Sequence, residues 1–196
     1  MRTAAVIIAG GQSRRMGREK AFVPLMGKPL LAHATERLQP QCDAVVVNAN
    51  GDAGRFDRFG LAVIPDVMTE IGTPLAGLHA ALACGRANRF DAVLTVPSDV
   101  PFLPRDLVSR LETDKTARVA AACGQVHFLT GWWNVALLPR LEEALMSGSL
   151  WRVQDWVRMC NAETVEWPCD SFDPFFNINT PEDLAEAERI AADFAP

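Results

Sequence analysis

TAAVIIAGGQSRRMGREKAF, residues 3–22, begins with an unbroken apolar run and turns at once into a pair of glycines followed by three arginines and a lysine. The run Thr3–Ala9 is short and rich in β-branched residues, with no polar residue alternating after Thr3. That pattern predicts a strand buried on both faces, as in a parallel sheet covered by helices. A glycine-rich basic loop leaving such a strand lies at its C-terminal end, the edge where open α/β sheets bind ligands. Gly10 and Gly11 lack a Cβ and let backbone N–H groups approach an anion, and Arg15 and Lys20 add charge-assisted hydrogen bonds. The loop therefore reads as a grip for phosphate, with an ordinary turn bearing solvated arginines as the plain alternative. It is neither of two familiar grips. The Walker pattern needs two glycines four residues apart and then Lys-Ser/Thr, and the dinucleotide fingerprint needs G-x-G-x-x-G; GGQSRRMG has neither spacing.

Outward from this stretch, short β-branched runs alternate with longer helical patterns. Strands are expected at Thr3–Ala9, Asp43–Val47, Leu61–Ile64 and Asp91–Val96, each bounded by Gly, Pro, Asn or Asp. LLAHATERL, preceded by Pro29, and PLAGLHAALACG, opened by Pro74, carry apolar residues at helical spacing. Repeated βαβ units with right-handed crossovers bring the strand C-termini to one edge. Beyond residue 116 the pattern is less regular. ARVAAAC and VHFLTGWWNVAL around Gly124 suggest a hairpin extending the sheet, followed by helices over 139–147 and 150–160. NTPEDLAEAERIAADF is clearer, with Thr180 as N-cap, Pro181 at the first helical position and Asp183 three residues after the cap. Its apolar positions Leu184, Ala187 and Ile190 are expected to pack on the sheet. The fold class is thus α/β, with a mostly parallel sheet.

At 196 residues the chain has room for one sizeable core, against about 100–200 residues per domain, and no linker or repeat divides it. A single domain over 1–196 is expected. Hydrophobic residues make up 49%, yet no apolar stretch approaches the ~20 residues of a membrane span, so a membrane protein is excluded. The short N-terminal apolar run, with its positive charges after it, argues against an export signal. A net charge of −5 disfavours nonspecific nucleic-acid binding, so the local basic loop is expected to face a small anionic ligand. Cysteines at 42, 84, 123, 160 and 169 are odd in number and lack Cys-x-x-Cys spacing, which argues against a disulfide framework and a zinc site and points to a reducing cytoplasm. No long apolar helix face demands a partner, so a monomer is expected.

TVPSDVPF, residues 95–102, places Asp99 just past the C-terminal end of a central strand, on the same rim as the glycine loop. A carboxylate there can hold Mg²⁺ bridging phosphate oxygens. Asp66 in VIPD and Asn48 in VVVNAN end two more strands on that rim, although each could be a simple turn former. His33 and His79 lie in helical patterns and read as packing or surface residues. Of Trp132, Trp133, Trp151, Trp156 and Trp167, most are expected in the core.

The segments IIAGGQSRRMGREKAF, GKPLLAHATERL, VVVNAN, GTPLAGLHAAL, VPSDVPFLP and FFNINTPEDL, in this order over residues 6–184, resemble the molybdenum cofactor guanylyltransferases. The resemblance implies a three-layer α/β/α, Rossmann-like nucleotidyltransferase fold. It also implies transfer of GMP from GTP to the terminal phosphate of molybdenum-loaded molybdopterin, with Mg²⁺ as cofactor and pyrophosphate as by-product. By position it places Ile8, Ala9, Gly10 and Gly11 on the nucleotide and Lys20 on its phosphates. Asn48 and Asp66 fall on the nucleoside, and Asp99 on both nucleotide and Mg²⁺. Arg152, Asn177 and Asn179 fall on the pterin side, which assigns nucleotide binding to the N-terminal half and the molybdopterin site to the C-terminal half. Transient contacts with enzymes that make or receive the cofactor are implied too.

Arg15, Lys20 and Asp99 are the expected catalytic set. A phosphate monoester is largely ionised near neutral pH, so the reaction needs charge screening and in-line positioning more than a strong base. Two other readings stay open: a cytidylyltransferase on the same pterin or a sugar-phosphate nucleotidyltransferase, and a nucleotide-binding regulator with a Trp-rich partner surface. The Ala9-Gly10-Gly11 spelling resembles the guanine-selecting form. Two departures from the family pattern stand out. Glu19 replaces a commoner Asp, without expected consequence, and Phe128 follows His127 where proline is usual.

Overall fold

Unbroken burial marks β1 (Thr3–Ile8), where all six residues are buried because the strand sits between two neighbours and under helices on both faces. A computed structural model of the chain describes residues 1–10 and 19–193; Gly11 and Arg15 lie outside the described residues. After a 3₁₀ turn at Lys20–Phe22, β2 (Pro24–Leu25) and β3 (Lys28–Pro29) form a small hairpin that hands the chain to α1 (Leu30–Leu38). Then follow β4 (Ala44–Asn48), a 3₁₀ segment at Ala53–Phe59, β5 (Ala62–Ile64), α2 (Pro74–Ala87) and β6 (Ala92–Pro97). The second half comprises α3 (Leu107–Leu111), β7 (Ala117–Ala122), β8 (Gln125–Asn134), α4 (Leu138–Met146), α5 (Val153–Met159), β9 (Glu163–Trp167) and α6 (Pro181–Asp193).

Seven strands form one sheet in the order β5-β4-β1-β6-β8-β7-β9, all parallel except β8, which runs antiparallel to both neighbours. From β1 the chain winds toward β4 and β5, then returns to the other side as β6. The winding direction thus reverses between β1 and β6, the switch point where the loops after the two strands diverge and leave a crevice.

Strand alternation divides the core. Ala5, Ile7, Leu94 and Trp132 face α1 and α3, whereas Val6, Ile8, Val93 and Trp133 face α2, α4 and α5. The three-layer α/β/α arrangement expected from the sequence is therefore what forms. Trp132, Trp133, Trp156 and Trp167 are buried, and among the tryptophans Trp151 is the exposed one, at 66%. His33 and His79 pack as expected, each ring Nε2 meeting one oxygen: Leu25 O at 3.0 Å and Glu142 Oε1 at 3.2 Å.

Three features differ from expectation. The segment 163–167, not anticipated as a strand, is β9; it adds in parallel beside β7 at the sheet edge. Helix α6 caps as expected, with Asp183 N donating to Thr180 Oγ1 at 3.1 Å and Thr180 N to Asp183 Oδ2 at 2.9 Å. Its apolar face, however, meets the β2–β3 hairpin rather than the large sheet: Ala187 and Leu184 join Val23, Leu25, Leu30 and Ile178 in a satellite core. Finally, Cys123 and Cys169 form a disulfide, where the number and spacing of the cysteines argued against a disulfide framework. Spacing alone could not show it, because the two become neighbours only through the pairing of β7 with β9, in which Ala122 lies opposite Trp167.

Candidate active site

Four strand ends supply the rim of the crevice. At the end of β1, Ala9 N donates to Asn48 O at 2.9 Å, and Ser98 N, following β6, donates to Ile8 O at 3.1 Å. These bonds lock the loops after β1, β4 and β6 together and hold Ile8, Ala9 and Gly10 against both neighbours. Asn48, buried at the end of β4, donates through Nδ2 to Asp66 Oδ1 at 2.9 Å, and Asn50 Nδ2 donates to Asp66 Oδ2 at 2.7 Å. The predicted pair Asn48 and Asp66 is thus brought into direct contact, with both carboxylate oxygens supplied by amides. Helix α2 approaches this pair so closely that a Cβ at Gly77 would sit 2.6 Å from Asn48 Oδ1 and 3.1 Å from an Ile8 methyl. Glycine is required there for the helix N-terminus to reach the rim.

A second cluster forms across the crevice. Asp99 is 8% exposed; its Oδ2 accepts from Lys20 Nζ at 2.8 Å and its Oδ1 from Asn177 Nδ2 at 3.3 Å. Lys20 also donates to Asn179 Oδ1. Ile178 N donates to Asp99 O at 3.0 Å, so the NIN segment is laid along the Asp99 turn by its backbone as well as its side chains. The α6 cap reaches this cluster, because Asp183 also accepts from Asn179 N at 2.8 Å. Lys20 and Asp99, which the resemblance places on the nucleotide, therefore converge with Asn177 and Asn179, which it places on the pterin side. Arg152, just before α5, is exposed and its guanidinium has no hydrogen-bond or ion-pair partner among the described residues, although its neighbours Val153 and Gln154 line the adjoining cavity.

That cavity, about 450 Å³, opens beside Asp99 and Asn177 and runs along β8 past His127 and Thr130. Its wall exists because the β7–β8 ladder slips: Val119 pairs with Gly131 but Ala120 pairs with His127, leaving residues 128–130 as a bulge. Thr130 is 1% exposed and its hydroxyl has no hydrogen-bond partner among the described residues. A buried unpaired hydroxyl on a cavity wall is costly unless something enters to meet it. His127 Nε2 lies 3.0 Å from Asp173 Oδ2, and its ring lies 5.0 Å from that of Phe175. Burial pushes the His127 imidazole below its usual range despite the opposing pull of Asp173.

Glu19, set aside in the sequence, has a definite role: its Oε2 accepts from Arg55 Nη1 at 2.6 Å, and Arg55 also donates to Asn50 O and Asp52 O, each at 2.7 Å. This clamp, with Phe22 packed 5.3 Å from Phe56, fixes the stem of the glycine loop immediately before Lys20. Arg55, Thr130 and the His127–Asp173 pair were missed because no local motif carries them. The bulge at 128–130 has its only sequence signal in the departure at Phe128.

Among the described residues no group of three or more His, Cys, Asp or Glu could hold a metal ion. The donor set fits Mg²⁺ arriving with a nucleotide, since that ion commonly uses one or two carboxylates and completes its shell with phosphate oxygens and water. Asp99 is the carboxylate placed to serve. A mostly parallel sheet with polar residues gathered on this rim is the arrangement of open α/β proteins that bind ligands at a switch point, and comparison with known proteins makes the class specific. A family model described as MobA-like NTP transferase domain matches residues 5–163. The chain is similar to molybdenum cofactor guanylyltransferases from Nitrobacter hamburgensis (43% identity, covering 97% of this chain and 95% of the relative) and Rhodobacter capsulatus (44%, all of both chains). A crystal structure of molybdopterin-guanine dinucleotide biosynthesis protein A from Archaeoglobus fulgidus superposes with a TM-score of 0.73 at 26% identity, covering 98% of this chain and 100% of that one. The chain is a nucleotidyltransferase. It belongs to the molybdenum cofactor guanylyltransferase family.

Proposed function

We propose that this enzyme transfers GMP from GTP to the terminal phosphate of molybdenum-loaded molybdopterin, releasing pyrophosphate, and that the reaction takes place between the two clusters on the rim. The observation that carries the reading is the convergence of Lys20, Asp99, Asn177 and Asn179 beside a cavity large enough for a second substrate. The nucleoside lies toward Asn48 and Asp66 and the phosphates toward Lys20, with Gly10, Gly11 and Arg15 of the loop following β1 completing the phosphate grip. The acceptor enters along β8, toward Asn177, Asn179 and Arg152. Mg²⁺ bound with the nucleotide supplies the charge screening that two approaching phosphates need. Lys20 holds the phosphates by charge, and on doing so releases Asp99 from its ion pair. The Asn177 amide and the Ile178 N–H keep Asp99 oriented while that exchange occurs, and no side chain has to abstract a proton from an already ionised phosphate.

The same reading makes the chain a single domain over residues 1–196, acting as a cytoplasmic monomer with transient contacts to enzymes that supply or receive the cofactor. No helix among the described residues is long and apolar enough to cross a membrane.

The test is incubation with labelled GTP or CTP, Mg²⁺ and molybdate-loaded molybdopterin, followed by identification of the nucleotide joined to the pterin. GMP joined to the pterin is expected. CMP incorporation moves the enzyme to the cytidylyltransferases, and GTP binding without pyrophosphate release makes it a regulator. A narrower prediction concerns Thr130. Thr130→Val keeps the shape and removes the hydroxyl that awaits a partner, so the acceptor KM is expected to rise about tenfold with GTP affinity unchanged. Thr130→Ser should restore the parent value, and an unchanged KM in the Val variant would separate Thr130 from the acceptor.

A further inference from the structure

The five cysteines fall into two groups. Cys42, Cys84 and Cys160 are buried or half-buried free thiols, and burial pushes all three above the usual thiol range, Cys42 and Cys160 to about 12. They are poor nucleophiles in the folded chain. Cys123 and Cys169 are exposed and bonded to each other.

The pair is built by the sheet. Cys123 and Gly124 form the two-residue β7–β8 turn, with φ of 53° and 74°, the left-handed geometry of a tight hairpin. Cys169 lies two residues past the end of β9. Because β9 runs parallel to β7, both chains leave the sheet at the same end, and the two Cα atoms stand 5.2 Å apart, within the range a disulfide requires.

What the bond joins matters more than the bond itself. Gln125, two residues after Cys123, begins the β8 wall of the acceptor cavity. Cys169 opens the segment 168–180, which sets Asp173 against His127, Asn177 on Asp99 and Asn179 on Lys20. This segment has no regular secondary structure of its own. The cross-link closes a separation of 46 residues and ties the start of that segment to the wall facing it.

We propose that Cys123–Cys169 is a reversible thiol–disulfide modification site through which small thiols and disulfides of the glutathione type set the order of segment 168–180 and hence the fit of the acceptor. The proposal rests on the reading of the β8 cavity as the acceptor side. In the reducing direction a small thiolate attacks one exposed sulfur, forming a mixed disulfide and expelling the other cysteine as a thiolate, which takes up a proton. A second small thiol attacks the mixed disulfide, leaving two protein thiols and one small disulfide, so two electrons enter the protein and two small thiols are oxidised. Oxidation runs the same steps in reverse with the small disulfide as oxidant. In a reducing cytoplasm an exposed bond of this kind stands reduced at rest and closes under oxidative load.

The test uses the full chain equilibrated in glutathione buffers from fully reduced to fully oxidised. Alkylation of the native protein followed by mass spectrometry should label Cys123 and Cys169 only in the reduced form. Amide exchange in 168–180 should then be roughly tenfold faster than in the oxidised form, with β1 unchanged. The acceptor KM should be about threefold or more higher in the reduced form, with GTP affinity the same in both. The Cys123→Ser, Cys169→Ser double variant should match the reduced form in every buffer. Equal exchange in the two forms, or a double variant that still responds to the buffer, overturns the proposal. If neither form transfers GMP to molybdopterin, the functional reading falls, while the exchange comparison still decides whether the pair controls the segment.

Discussion

Asp99→Ala is expected to lower the turnover of GMP transfer by roughly 10²- to 10⁴-fold, the scale of losing a metal ligand that stabilises charge in a phosphoryl-transfer step. The geometry makes the loss specific. Asp99 is nearly buried at the end of a central strand and is held from three directions, by Lys20, Asn177 and the Ile178 N–H, the last through its backbone oxygen. The backbone bond survives the substitution, so the chain keeps its course and the loss falls on the carboxylate. Lys20 then keeps Asn179 and its positive charge at the site, so GTP affinity should change far less than kcat. Asp99→Asn separates charge from shape, because the amide fills the same space. Both variants should fall together in a pyrophosphate-release assay with Mg²⁺ at saturating acceptor. Near-normal transfer by Asp99→Ala would remove Asp99 from the catalytic set.

Trp133→Ala is expected to destabilise the fold by about 3–5 kcal/mol, a large part of the 5–15 kcal/mol typical of a domain. The indole is fully buried, lies over Gly131 so closely that a Cβ there would meet ring carbons at 2.7 and 2.9 Å, and donates from Nε1 to Thr95 Oγ1 at 2.9 Å. Thr95 in turn donates to Leu129 O at 2.7 Å, inside the bulge that shapes the cavity. Truncation therefore opens a void, leaves Thr95 without its donor and loosens the wall beside Thr130. A thermal melt should show Tm lowered by roughly 10 °C. Trp151→Ala, at an exposed position, should shift stability by under about 0.5 kcal/mol. Equal melting temperatures for the parent and Trp133→Ala would mean that this ring does not carry the core.

The sequence by itself determined what depends on neighbours along the chain. The apolar run Thr3–Ile8, the helices opened by Pro29, Pro74 and Pro181, and the reciprocal cap between Thr180 and Asp183 are local patterns, and the structure keeps each within a residue or two. Asn48, Asp66 and Asp99 were legible as rim residues because each ends a strand or lies two residues past one whose direction the βαβ pattern dictates. Tertiary structure decided everything that depends on register between distant segments. Lys20 meets Asn179 across 159 positions, Glu19 meets Arg55 across 36, and Cys123 meets Cys169 across 46. A shift of one residue in a strand pairing turns every side chain to the opposite face, so such contacts have no trace in local periodicity. For the same reason the bulge at residues 128–130, the exposed disulfide and the docking of α6 on the β2–β3 hairpin became visible only once the strands were paired.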